Sequence, residues 1–432
     1  MRILVIGVAL VLLTLVGMMA LLLTRLDSAD RLARVLQSRS PIAFDYDVLD
    51  GSLAGPLSIQ DLKVQGTTWS LEAARLDLTW HPAALLRGQL HVESLKGEAV
   101  HFRNHAPPTP AAPPGDGSPP APFSLPLALR LDRLELASGC YQSGAAAPQC
   151  LDGRLDDLRL TGSRWALDHL TLIHSQFRLT GAGSGELAGR WPLALRLSAQ
   201  AALPDLPPWA GELAVDGDLL ELGIAHAAAP PYAYQLAARI TEPLGVLRWQ
   251  AEWTTQNLSP HAFRAELPEA LRLTATVQGD GGLRDARLQA VLHGEGTPEG
   301  PWEGQFAGAV DSTAARLDRL MLDSPLGRVQ GEGIWPLQAQ PDQALTARLA
   351  WQDLRWPGAA LDSPAGELRL DGTLERFGLN MQAQLAGAWA GNQTAHIALV
   401  GQGNRQGLAL ERIEASNLLK GRLRGQGHIG WT

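Results

Sequence analysis

The chain has 432 residues, 45% of them hydrophobic and 6% aromatic, with a formal net charge of −8. That length allows two or three ordinary domains or one elongated one, with a sizeable interior. The basic residues are nearly all arginine, the only lysines being Lys63, Lys96 and Lys420. They are spread among acidic residues rather than gathered beside aromatics, which excludes a nucleic-acid footprint.

From Ile3 to Leu23 the sequence carries no charge and one hydroxyl, Thr14. About 20 such residues span a bilayer core as a helix. The run is longer than the apolar centre of a cleaved signal peptide, and its end, Leu21-Leu22-Leu23-Thr24-Arg25, offers no small-x-small site. Residues 1–25 are therefore read as an uncleaved transmembrane anchor. Arg2 precedes it while Arg25, Arg31 and Arg34 follow, so the flanking charges alone do not place the N-terminus inside. Residues 27–38 predict a short amphipathic helix, capped by Asp27 or Ser28, with Leu32, Val35 and Leu36 on one face.

From Phe44 the pattern becomes β, and residues 26–105 are expected to hold that helix and a first β module. Leu57, Ile59, Leu62 and Val64 alternate with polar residues, and Trp69, Leu71, Leu76, Leu78 and Trp80 continue the pattern. His81-Pro82 through Gly88 predicts a turn or two of helix, with proline at the start and glycine at the stop. Residues 106–122 are too rich in proline for sheet or helix and are read as a linker. Cys140 and Cys150 flank a Gly/Pro-bearing loop. A hairpin there brings them within disulfide reach in an oxidising compartment, and free thiols are the alternative.

Residues 123–432 alternate persistently, which predicts strands with one apolar and one polar face. The apolar runs are Leu127/Leu129/Leu131, Leu193/Leu195/Leu197, Tyr232/Tyr234/Leu236, Leu271/Leu273 and Leu379/Met381/Leu385. Helix signals nearly vanish; Pro204–Leu213 is at most a short helical insert. At roughly 11 residues per strand and turn, about 28 strands are expected. One unit recurs: Leu317, Leu320 and Leu322, a Ser324-Pro325 corner, then Gly327, Val329, Gly331 and Gly333 up to Trp335. Versions of it occupy Leu167–Gly185 and Leu410–Trp431. Such repetition marks a stacked architecture whose repeats bury their apolar faces against one another.

Catalytic signatures are absent. There is no His-Glu-x-x-His, Cys-x-x-Cys, phosphate-binding Gly-x-x-x-x-Gly-Lys or Gly-x-Ser-x-Gly. Gly181-Ala-Gly183-Ser-Gly185 imitates a nucleotide loop, but no helix follows it, so a strand of small residues is the better reading. Asp156-Asp157 is read as solvated surface. No enzyme, metal site or cofactor is expected.

Three passages carry a family resemblance. They are Val48-Leu-Asp-Gly-Ser-Leu-Ala-Gly55 with Leu57-Ser-Ile-Gln-Asp-Leu62, the run Leu78-Thr-Trp80-His-Pro through Gly88, and Leu349-Ala-Trp351-Gln-Asp-Leu354-Arg-Trp356-Pro357 continuing to Trp431. With the anchor, these resemble the N-terminal part of the TamB family, among the AsmA-like, repeating β-groove lipid-transfer proteins. The resemblance is strongest at 44–102 and 345–432. Members of that family are usually longer and end in a C-terminal domain. The resemblance implies a mainly β protein: a long, curved half-pipe of antiparallel strands behind a transmembrane helix, with an apolar floor that shields phospholipid tails. It implies a single pass of the bacterial inner membrane with the bulk of the chain in the periplasm. Its implied partners are a TamA outer-membrane barrel and nascent outer-membrane proteins. The twelve apolar residues from Leu127 to Leu385 named above, tyrosines apart, are the candidate groove lining. Assembly of outer-membrane proteins by strand addition is the alternative role.

Overall fold

A computed structural model describes residues 43–51, 55–105, 120–144, 146–202, 204, 206–337, 343–356, 361–387, 394–418 and 421–430. The expected anchor, the amphipathic helix and most of the proline-rich linker lie outside the described residues. Among those described, no helix is long and apolar enough to cross a membrane.

The described residues are mainly strand. In chain order these are β1 (Ala43–Asp45), β2 (Val48–Gly51), β3 (Leu57–Gln65), β4 (Trp69–Trp80), β5 (Gln89–Asn104), β6 (Ala128–Ser143), β7 (Gln149–Thr161), β8 (Arg164–Ile173), β9 (Phe177–Glu186) and β10 (Leu193–Ala201). They continue as β11 (Trp209–Gly217), β12 (Glu221–Ala228), β13 (Tyr234–Thr241), β14 (Arg248–Leu258), β15 (Arg272–Gly281), β16 (Ala286–Glu295), β17 (Trp302–Val310) and β18 (Ala314–Ser324). The last are β19 (Gly327–Pro336), β20 (Leu345–Trp356), β21 (Leu361–Gly372), β22 (Phe377–Gly387), β23 (Ala395–Asn404), β24 (Gly407–Leu418) and β25 (Gly421–Gly430).

Beyond residue 123 there are therefore twenty strands among the described residues, β6–β25, rather than about 28. The difference arises because the strands are long, up to 16 residues in β6. Trp209–Leu213, expected in a helical insert, opens β11 instead. Tyr232 precedes its strand; its hydroxyl donates to the Pro207 carbonyl at 3.0 Å, and the strand begins at Tyr234. The predicted turn after His81 is a 3-10 helix, Pro82–Arg87, closed by Gly88 at a left-handed φ of 71°.

The contacts divide the chain into two units, Met1–Ala202 with Glu212–Leu219, and Leu203–Gly211 with Leu220–Thr432. In the first, β3 to β10 pair each with its neighbour in sequence. All of these pairs are antiparallel except β5 with β6, which run parallel. A parallel pair needs a long crossover, and the chain between Asn104 and Ala128 makes it. The short β1 and β2 lie along the same edge of β3. In the second unit β12 to β25 form an antiparallel ladder in strict sequence order.

Cys140 and Cys150 are direct cross-strand partners at the β6–β7 hairpin and are joined by a disulfide. Among the described residues, one compact core cluster of buried side chains forms, in the first unit: Leu90, Val92, Leu129, Leu131 and Leu160. Phe123, Leu125 and Leu187, together with Leu85 of the 3-10 turn, pack on it.

The glycines set every second residue on β9 have a steric reason. Gly181, Gly183 and Gly185 pair with Leu197, Leu195 and Leu193 of β10. A Cβ at Gly183 would sit 2.4 Å from a Leu195 methyl, and one at Gly181 the same 2.4 Å from a Leu197 methyl. The leucines lie flat over the glycines, so each large side chain fits only because its partner has none. Gly183→Val is therefore expected to destabilise the first unit by about 1–3 kcal/mol through overpacking, measurable as a lowered denaturation midpoint with unchanged slope.

Candidate functional site

The registers assemble one chemically uniform surface in each unit. In the first unit a single cross-strand row runs Leu57, Leu78, Leu95, Leu134, Leu155, Leu170, Gly181, Leu197 from β3 to β10. In the second unit a row runs Leu236, Trp253, Val277, Ala290, Phe306, Leu320, Gly331, Leu349, Leu368, Met381, Leu399, Ile413, Gly425 from β13 to β25. No polar side chain interrupts either row. Parallel rows flank both, such as Leu288, Gly308, Leu317, Gly333, Ala347, Leu370 and Leu379.

Strict alternation would not produce this surface, because several leucines are three residues apart. β-Bulges repair the phase. Leu317 and Leu320 flank one, and Leu410 and Ile413 another. In Ile59-Gln-Asp61-Leu62, Leu155-Asp-Asp157-Leu158 and Trp351-Gln-Asp353-Leu354 the aspartate takes φ values of 52°, 54° and 50°. Aspartate tolerates this left-handed geometry better than most residues. The next apolar side chain thus returns to the same face.

The candidate lining residues occupy this surface unequally. Leu193, Leu195 and Leu197 of β10, Leu236, Leu273, Leu379 and Met381 are half-buried between exposed sequence neighbours, and Leu385 is half-buried beside exposed Gln384. Leu127 and Leu271 sit one residue ahead of β6 and β15. Leu129 and Leu131, at 6% and 8% exposure, lie inside the packed cluster, so side chains already fill the space above them. Elsewhere the face is open in part: Leu288 is 40% exposed and Phe306 and Leu322 are each 37% exposed, whereas Leu271 and Leu345 are buried, at 8% and 1%. Two hydroxyls buried at 2% exposure are satisfied locally. Thr255 donates to the Ala233 carbonyl, and Ser363 accepts from Trp351 Nε1 and donates to the Gln384 carbonyl.

Sequence reading missed an aromatic row whose four residues, on β11 to β14, all belong to the second unit. The His226 ring stacks between Trp209 at 5.6 Å and Tyr234 at 5.4 Å, and Tyr234 meets Trp253 at 6.0 Å. The signal was thin, because β12 is mostly small residues around one histidine.

The opposite face carries ion pairs. Arg133 reaches Asp156 at 3.4 Å, and Arg154 reaches the same carboxylate at 2.9 Å. The hydrogen bond from Arg154 holds the Asp156 carboxyl below its ordinary range. Burial pushes Asp132 upward, but hydrogen bonds from Arg130 and His91 outweigh it and leave that carboxyl low as well. Such depressed carboxylates stabilise the fold above their ordinary pKa, and this contribution is lost as pH falls through the lowered values. Being largely exposed, each pair contributes little.

A sheet with one long apolar face and one ion-paired face suits a surface that meets apolar material rather than a catalytic pocket. The profile of the family described as TamB, N-terminal domain, matches residues 154–341 and again 334–432. The chain belongs to the TamB family. The match covers the repeated β-strand region, from β7 onward, and includes the passage from Leu349 that carries the resemblance. The search of curated proteins found no match. In TamB terms, the matched segment contains the whole second-unit ladder and the glycine-and-leucine strands β9 and β10 of the first.

Proposed function

We propose that this TamB-family chain shelters phospholipid acyl chains on its apolar face, as a carrier anchored in the inner membrane and extending through the periplasm. The observation that supports this reading most is the unbroken cross-strand row from Leu236 to Gly425, open at its member Phe306 and at Leu288 and Leu322 beside it. An exposed apolar strip of that extent needs a cover. Each acyl methylene it shields contributes about 0.8 kcal/mol, so a tail is held without any specific polar site. Because leucine and glycine repeat along the row, no position is strongly preferred and a tail can move along it. A TamA-type outer-membrane barrel is the partner that would receive the lipid.

The alternative role, assembly of outer-membrane β-proteins, would work by strand addition. Strands β13–β24 are paired along both edges. Strand addition would therefore be confined to an end of the ladder such as β25, which pairs with β24 alone among the described residues.

The test places a photo-activated benzophenone side chain at Phe306, on the apolar face, or at its outward neighbour Gln305, in the full chain within its membrane. Lipid adducts found by mass spectrometry at Phe306 and absent at Gln305 are the expected result. Equal adducts at both positions, or protein adducts alone at Phe306, would overturn the proposal.

A further inference from the structure

The face opposite the apolar rows is hollowed over β19–β25 in the second unit, enclosing about 670 Å³. Strand twist makes a sheet saddle-shaped, so a hollow forms on the polar side without closing the other. Its floor is polar and small-chained: Gln382 pairs with Ala398, and Gln384 with His396. Its walls are arginines.

The charge of this hollow runs against that of the chain. Arg328, Arg348, Arg422 and Arg424 line it beside the carboxylates Glu367 and Glu414, in a protein of net charge −8, and Arg328 is paired with Asp323 next to it. Glu367 is held by Arg348 within the hollow at 2.7 Å and by Arg369 from outside it at 2.6 Å. Hydrogen bonding from Arg369, the largest cause, keeps that carboxyl below its ordinary range. Arg424 meets Glu414 at 3.4 Å. Arg422 stands on the same face of β25, across from Ser416, and has no ion-pair partner among the described residues. The Gln382 amide and the His396 ring likewise have no hydrogen-bond partner among them. The hollow therefore presents uncommitted donors: a guanidinium, an amide and an imidazole.

We propose that this hollow binds a phosphate-bearing anion. Guanidinium forks match the paired oxygens of phosphate, and amide and imidazole N–H groups add donors to the remaining oxygens. An apolar ligand would leave these donors unpaired and is excluded on that ground. The site is on the other face from the acyl-chain surface, and its occupancy does not depend on that surface being used.

The experiment is calorimetric titration of pyrophosphate into the full chain in a non-ionic detergent, with flotation on phosphatidylglycerol-containing and on purely phosphatidylcholine vesicles as a parallel arm. Saturable pyrophosphate binding without preference between vesicles identifies a soluble phosphate ligand. Selective flotation with phosphatidylglycerol identifies a lipid headgroup. In either case the joint change Arg422→Gln with Arg424→Gln weakens binding by about tenfold or more, and Gln382→Glu, which places a carboxylate on the floor, does the same. All three positions are exposed, so far-UV circular dichroism stays unchanged. Arg196→Gln, on the polar face of β10, leaves binding as it was. The proposal is overturned if neither phosphate form binds, if the hollow variants bind like the parent, or if Arg196→Gln weakens binding equally.

Discussion

Leu195→Glu removes lipid capture while the sheet stays folded. The side chain lies half-buried on β10 against Gly183 and outside the packed cluster of the first unit. A carboxylate there can turn its oxygens toward water, so the folded protein loses only part of one leucine's burial, about 1–2 kcal/mol. For an acyl chain crossing the same spot the account is different. It loses contact with the leucine methyls and must lie beside a charge, a cost of about 1–3 kcal/mol if one polar group goes unhydrated. Together with one or two methylenes lifted from the surface at about 0.8 kcal/mol each, this reduces occupancy by more than about tenfold. The measurement is the yield of lipid adducts from a benzophenone at Leu197 in the full chain, with and without the glutamate. Unchanged yield would mean that lipid does not lie on this face. Loss of the fold would mean that the face is packed core.

Much of the β architecture was legible in the sequence because its alternation is a direct consequence of strand geometry. Leu193-Ala-Leu195-Arg-Leu197 can present its leucines together only as a strand, and it does. The glycine repeat was visible too, but its purpose was not. That Gly181 and Gly183 face leucines requires the pairing register, which is a property of two strands rather than one. The left-handed aspartates show the same limit. Read by alternation alone, Leu158 and Leu155 point to opposite faces. The left-handed Asp157 inserts one extra residue and returns them to the same side. The pairing of β5 with β6 was hidden for a further reason. A parallel neighbour is set by the crossover, and strand composition carries no mark of it.

The same periodicity that placed Leu129 and Leu131 with Leu195 could not separate a covered floor from an open one. What covers them is Phe123, Leu125 and the 3-10 turn carrying Leu85, segments whose docking leaves no periodic trace. This difference gives the two leucines opposite expected behaviour.

At Leu131 the glutamate substitution unfolds the first unit. The side chain is 8% exposed and stands between Val92 and Leu158 in the cross-strand register, within the cluster that also contains Leu90, Leu129 and Leu160. Removing its methyls costs about 2–5 kcal/mol through lost transfer and cavity terms. Placing a carboxylate there adds several kcal/mol more of desolvation, because the side chains packed around this cluster among the described residues are hydrophobic. The sum is comparable to the whole stability of an ordinary domain, roughly 5–15 kcal/mol. Burial would raise the pKa of the introduced carboxyl, so the variant is least unstable in acid and loses further stability as pH rises through that raised value. Limited proteolysis followed by mass spectrometry reads the outcome. Cleavage of Leu131→Glu within β5–β8 at neutral pH, with Leu195→Glu resistant under the same conditions, distinguishes the filled part of the apolar surface from the part left for a ligand. Equal resistance of the two variants would mean that the cluster around Leu131 is open to solvent and belongs to the same surface as Leu195.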